Sequence, residues 1–354
     1  MPGRRSDRIL RWFRRRLRAA TSPNVPARGP RDHVVILDGT MSSLEPGRET
    51  NAGRCYRLLS EAAPQASLFY EAGLQWRDWP STLDVFMGRG INAKICRAYG
   101  FLAARYRPGD RIFLIGYSRG AFAVRSLAGV IDRIGLLRPE HALERNLRQA
   151  YRHYRFGPDR AAARAFAERF CHERVEIEAV AVWDTVKALG LRLPMLWRLT
   201  ERRHIFHDHL LGGHIRHGFH ALALDESRAV YEPVMWACPA ERAEVVEQVW
   251  FPGTHGDVGG QLGGFEPARP LANLPLVWML GRLEACGLPL PEGWAGRIPT
   301  DPQAPSVGQW RGGGKLFLLR KRRQVGLDPS ERIHDSVRLR RGNLPERLPG
   351  ATAP

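Results

Sequence analysis

From His33 onward, short apolar runs ending in polar or glycine turns alternate with longer segments whose apolar positions fall three or four apart. Runs of the first kind are buried strands, those of the second are helices packed on them. Their alternation predicts an α/β fold with a mostly parallel central sheet and helices on both faces. The strand candidates are His33 to Leu37, Arg111 to Gly116, Val175 to Trp183 and Val246 to Phe251, with helices expected at Asn92 to Tyr106 and Ala121 to Ile134. Each strand runs into residues with usable chemistry: Asp38-Gly39-Thr40, Tyr117-Ser118-Arg119-Gly120, Asp184-Thr185 and Pro252-Gly253-Thr254-His255. Ligands of an open parallel sheet sit beyond the carboxyl ends of its strands, so a site belongs among these turns. Gly312-Gly313-Gly314, ahead of the strand-like Lys315 to Leu319, reads as a turn and not as a phosphate loop.

The first thirty residues follow another pattern. Ile9, Phe13 and Leu17 recur every four positions, with Leu10 and Trp12 beside them and arginines filling the intervals. Such a basic amphipathic helix suits an anionic membrane surface or a partner protein, and reads equally well as a frayed basic tail. Thr21 to Arg31, rich in Pro and Gly, reads as a linker. The expected organisation is a basic segment and linker over 1–30, a catalytic α/β domain over 31–345 and a disordered tail over 346–354.

Composition alters this little. The 354 residues are 44% hydrophobic, ample for a buried core. The formal charge of +18 taken alone favours a polyanionic partner. Lysine is confined to Lys94, Lys187, Lys315 and Lys321, however, and the arginines are scattered along the chain as on a solvated surface, which disfavours nucleic acid. Cys55, Cys96, Cys171, Cys238 and Cys286 form an odd set without CxxC or zinc-ligand spacing, so neither a disulfide framework nor a structural metal is expected. Arginines cut short every apolar stretch near the N-terminus, and no run approaches the ~20 residues that span a bilayer. A cytoplasmic location in the producing cell is expected, with any export independent of a cleaved signal.

The strongest local signal is Gly116-Tyr117-Ser118-Arg119-Gly120 between a strand and a helix. In this nucleophile elbow a sharp turn exposes the serine hydroxyl above the sheet, and the two glycines leave room for it. Arg119 N–H and the start of the helix face the charge that develops on attack. A serine needs a base, and the base an orienting acid, in the chain order Ser, Asp or Glu, His. Asp184 and His255 satisfy that order and both stand at strand ends; Asp208, Asp225 and Asp257 are rival acids, and His207, His209, His214, His217 and His220 rival bases. Gly39 or Thr40 offers a second oxyanion donor while Asp38 orients the loop, which reads equally as a plain Asp-Gly turn. Asp38 as an aspartyl nucleophile is a further reading, weakened by the lack of a nearby second acid to hold magnesium.

Taken together the motifs resemble the α/β-hydrolase domain of unknown function found in bacteria and fungi, which includes the catalytic domain of type VI secretion phospholipase effectors. The resemblance rests on Leu37 to Thr40 with Thr50-Asn51, Ala98 to Leu102 with Pro108-Gly109-Asp110, and Gly116 to Phe122 with Arg125. It continues through Trp183 to Val186, His220 to Glu226 with Arg228, Trp250 to Gly260, and Ile333 to Val337. It implies Ser118, Asp184 and His255 as the triad, Asp257 in support, no cofactor, a glycerophospholipid ester as substrate, and a secretion or immunity partner if the chain is an effector. The chain departs from the family pattern at Tyr70 to Gln75 and at Gln261, which stands where relatives carry glycine. The expected activity is serine-dependent carboxylic-ester hydrolysis through an acyl-enzyme. The alternatives are a noncatalytic protein that binds membranes or partners, or an Asp38-dependent phosphatase.

Overall fold

The computed structural model describes residues 28–73, 90–186, 210–239, 242, 244–309 and 319–342. The expectations for the amphipathic segment, for Gly312 to Lys315 and for the tail lie outside these residues.

The apolar runs pair into one seven-stranded sheet, entirely parallel: β1 (Asp32–Leu37), β2 (Ser67–Glu71), β3 (Arg111–Tyr117), β4 (Ile177–Trp183), β5 (Ile215–Ala223), β6 (Val246–Phe251) and β7 (Glu331–Ile333). Their spatial order is β2-β1-β3-β4-β5-β6-β7. The fold is α/β, and among the described residues the α-helices are α1 (Asn51–Ala62), α2 (Ile91–Ala103), α3 (Arg119–Ile134), α4 (Glu144–Phe156), α5 (Ala161–Phe170), α6 (His255–Gly259), α7 (Arg269–Ala285) and α8 (Asp335–Arg341). Both faces of the sheet are covered, which is why its strands read as continuous apolar runs instead of alternating with polar residues. Val35, Leu37, Leu114 and Val182 pack under α2 to α5, while Val34, Ile36, Phe113, Ile115 and Trp183 pack under α1 and α7.

The chain steps outward from β1 to β2 and then returns to the other side of β1 to make β3. The order therefore reverses between β1 and β3, and the crevice beyond their carboxyl ends is where such sheets bind ligands. Asp38 and Ser118 stand on its two sides. Among the described residues, no helix is long and apolar enough to cross a membrane, and no group of three or more His, Cys, Asp or Glu is placed to hold a metal ion.

Candidate active site

β3 ends at Tyr117 and α3 begins at Arg119, so Ser118 alone makes the turn, with φ 56° and ψ −120°. A side-chain-bearing residue held there costs about 1–3 kcal/mol, and its surroundings must impose it. Ser118 N–H donates to the Trp183 carbonyl at 3.0 Å, and Ser118 O accepts from Phe122 N–H at 3.2 Å. The flanking glycines are steric necessities. A Cβ on Gly116 would lie 2.7 Å from Ala121 Cα, and one on Gly120 only 2.0 Å from the Leu37 carbonyl oxygen. Gly120→Ala is accordingly expected to push α3 off β1 and lower the unfolding free energy by about 3 kcal/mol, measured by denaturant titration.

The loops after β4 and β6 bring two more groups to this turn. Ser118 Oγ lies 2.8 Å from His255 Nε2, and His255 Nδ1 lies 2.6 Å from Asp184 Oδ2. With Asp184 ionised, Nδ1 carries the proton and donates to it, which leaves Nε2 to accept from the hydroxyl. Asp184 is wholly buried, and its backbone also has positive φ, at 40°. Burial alone would raise its pKa, but the Arg323 guanidinium and the His255 bond outweigh that and hold the carboxyl well below the usual carboxylate range. His255 opens α6 directly after the cap residue Thr254, and Asp257 makes that cap: its Oδ2 accepts from Thr254 N–H and Thr254 Oγ1, both at 2.8 Å, and its Oδ1 from Val307 N–H at 2.7 Å. Tyr231 stacks on the imidazole at 4.5 Å between ring centroids, and the Tyr117 ring lies tilted beside it at 5.0 Å.

The loop after β1 faces the same hydroxyl, since a Cβ on Gly39 would come within 3.4 Å of Ser118 Cβ. Asp38 organises this loop. Its Oδ1 accepts from Gly39 N–H at 2.6 Å, and its Oδ2 from Thr50 Oγ1 at 2.6 Å and Tyr70 OH at 2.7 Å. Of the two loop amides offered as oxyanion donors, Gly39 N–H is turned back to Asp38. Gln261 Nε2 donates to Thr40 O at 2.8 Å, and Tyr117 OH donates to Gln261 Oε1 at 3.3 Å. Gln261 thus ties the loop to the end of α6, a link a glycine there cannot make.

The family model for the type VI secretion (T6SS) phospholipase effector Tle1-like catalytic domain matches residues 31–282. The chain belongs to this family. The protein YEL023C of Saccharomyces cerevisiae is 26% identical over 238 residues, covering 60% of this chain and 33% of its own length. An uncharacterized protein from Pseudomonas aeruginosa aligns with 84% of this chain and 52% of its own, at 16% identity and TM-score 0.46. The Tle1 effector bound to the VgrG spike aligns with 66% of this chain and 52% of its own, at 19% identity and TM-score 0.37. This chain therefore spans a third of the yeast relative and about half of each solved chain.

Within this Tle1-like domain the rival residues have other partners. Asp225 accepts from Gly253 N–H at 2.6 Å and pairs with Arg341, and Asp257 is taken up in capping α6. His214 sits 3.0 Å from Asp132, and His217 stacks on Phe219. His220 is buried and accepts from Thr185 N–H at 3.1 Å; burial pushes its imidazole down to about 3, so it stays neutral. Asp208, His207 and His209 lie outside the described residues. Sequence reasoning missed Tyr231 and Arg323 and gave no role to Glu226 or Arg228. Glu226 accepts from His255 N–H at 3.2 Å and holds the fork of Arg228, whose guanidinium lies 4.4 Å over the Tyr231 ring. Glu226 and Arg228 belong to the motif series that carried the resemblance, so that signal was available for them.

Proposed function

We propose that the Tle1-like domain is a serine-dependent carboxylic-ester hydrolase acting on glycerophospholipids, with residues 31–345 as its catalytic part. The observation that carries the reading is the unbroken chain from Ser118 Oγ through His255 to Asp184, at 2.8 and 2.6 Å, on a strained strand-to-helix turn. As Ser118 Oγ attacks the ester carbonyl carbon, His255 Nε2 takes its proton. Asp184 holds the resulting imidazolium in place. The carbonyl oxygen, now an anion, is received by Thr40 N–H and by Arg119 N–H at the start of α3, where the helix N-terminus faces the developing charge. Collapse expels the alcohol, protonated by His255, and leaves the acyl group on Ser118. Water, deprotonated by the same imidazole, then frees the fatty acid and regenerates the hydroxyl.

Family membership supports phospholipid as the substrate and type VI export, which needs no cleaved signal, with a secretion or immunity partner. The basic segment over 1–30 would add attraction to an anionic bilayer. The three donors on Asp38 disfavour it as a phosphoryl acceptor, since an attack would have to break the hydrogen bonds that shape the loop. A fluorophosphonate probe is expected to label the intact protein once, at Ser118, and mass spectrometry of treated phospholipid vesicles to find free fatty acid and lysolipid. Absence of labelling, or water-soluble phosphorylated headgroup as the product, would sink the proposal.

A further inference from the structure

We propose that Arg323 is a positioning residue of the Ser118 site, clamping the Asp184 carboxylate in the plane that receives His255 Nδ1–H. The inference rests on the serine-hydrolase reading above. Arg323 lies beyond the residues matched by the family model, which end at 282.

Both terminal nitrogens of Arg323 reach Asp184, Nη1 to Oδ1 at 2.5 Å and Nη2 to Oδ2 at 2.8 Å. The same nitrogens donate to the Ala223 carbonyl at 2.7 Å and the Tyr231 carbonyl at 2.6 Å. The side chain is 4% exposed. A planar fork on both carboxylate oxygens fixes the rotation of the carboxyl group, which a point charge does not do. Ala223 N–H adds a second donor to Oδ1 at 3.0 Å, so the lone pair of Oδ2 aimed at the imidazole is set from behind. Arg323 is itself delivered by a strap, residues 319–323, laid along residues 227–232. Ala229 N–H donates to Leu319 O at 2.9 Å, Lys321 N–H to Ser227 O at 2.7 Å, and Lys321 Nζ pairs with Glu232 at 2.5 Å. The Tyr231 ring that lies on the imidazole belongs to this strapped segment. One guanidinium thus ties the acid to the segment that covers the base.

A cation on the acid has two opposed effects. It draws on the charge that would otherwise stabilise the imidazolium, and it keeps Asp184 ionised where burial favours the neutral form. The second governs, because a protonated Asp184 cannot hold the Nδ1–H tautomer. The titratable groups around Asp184 are His255, Arg323, His220 and Tyr117. Burial keeps His220 and Tyr117 neutral, which leaves Arg323 as the fixed positive charge among them.

The test uses the full chain and a soluble p-nitrophenyl ester, for which kcat and KM separate. Arg323→Met is expected to lose about 100-fold in kcat, the size of a roughly 1 Å misplacement, with KM unchanged. Its acid limb should move up by about one pH unit or more. Arg323→Lys restores the charge without the fork, so the limb should return while kcat recovers only in part. Two results overturn the inference: wild-type kcat and pH profile in both variants, or losses that follow the unfolded fraction by circular dichroism while the profile stays put. Failure of the wild type to label with fluorophosphonate and to hydrolyse the ester is a separate result, which removes the serine-hydrolase reading and this inference with it.

Discussion

Ser118→Ala is expected to reduce ester turnover by about 10⁶-fold, the scale of removing the nucleophile from a serine triad, while leaving a folded protein. The two parts of this expectation have separate causes. Chemistry is lost because the hydroxyl that His255 Nε2 accepts from, Ser118 Oγ at 2.8 Å, is removed, while Tyr231 stacks on the imidazole and Tyr117 lies tilted beside it. Folding survives because alanine keeps the Cβ and therefore the same strained backbone, giving up one hydrogen bond worth about 1 kcal/mol. The measurement pairs release of fatty acid from phospholipid vesicles with thermal unfolding of both proteins. A variant that retained a tenth of wild-type turnover would exclude Ser118 as the nucleophile.

The residues that were legible in the sequence share one property: each follows a strand that closes on an apolar run. Ser118, Asp184 and His255 follow β3, β4 and β6, whose closing stretches, Ile112 to Tyr117, Ala179 to Trp183 and Val249 to Phe251, are apolar and buried, with Glu178, Glu247 and Gln248 confined to the strand starts. β5 escaped notice because its run is broken by Arg216, His217, Gly218 and His220, and His220 is tolerated inside the sheet only through its bond to Thr185 N–H and its contact with Gln248. β2 and β7 are edge strands of five and three residues, the first half-buried along its length, so neither carries a clear period. Nor was the Gly39 amide legible, since the pattern Asp-Gly-Thr does not say whether the carboxylate turns outward or back onto its own loop. Arg323 was hidden by a different effect. It sits in Arg320-Lys321-Arg322-Arg323, a run indistinguishable in composition from a solvated face, and only the strap that pairs residues 319–321 with 227–229 turns its side chain inward.

That hidden pair makes Asp184→Asn a test of structure as well as chemistry. The amide cannot take the charge of Nδ1–H and favours the wrong tautomer, so kcat is expected to fall by about 10⁴-fold, as when other triad aspartates are amidated. An ordinary triad substitution would leave stability nearly unchanged. Here Arg323, 4% exposed, keeps its charge and loses its carboxylate, and a buried cation left without a counter-charge costs about 3 kcal/mol. The pH dependence has a definite sign. Asp184 is held below its unfolded value, so its contribution is complete above the ordinary carboxylate range and is lost only as pH falls through the depressed folded value. The stability gap between wild type and variant, measured by denaturant titration, should therefore be equal at neutral and mildly acidic pH and close only below about pH 4. Adding Arg323→Met to Asp184→Asn removes the stranded cation, so the double variant should regain stability but no activity, giving a coupling far from additive. Additive losses would mean that the two side chains do not act as a pair, and an Asp184→Asn protein within tenfold of wild-type kcat would mean that His255 takes its orientation from something other than Asp184.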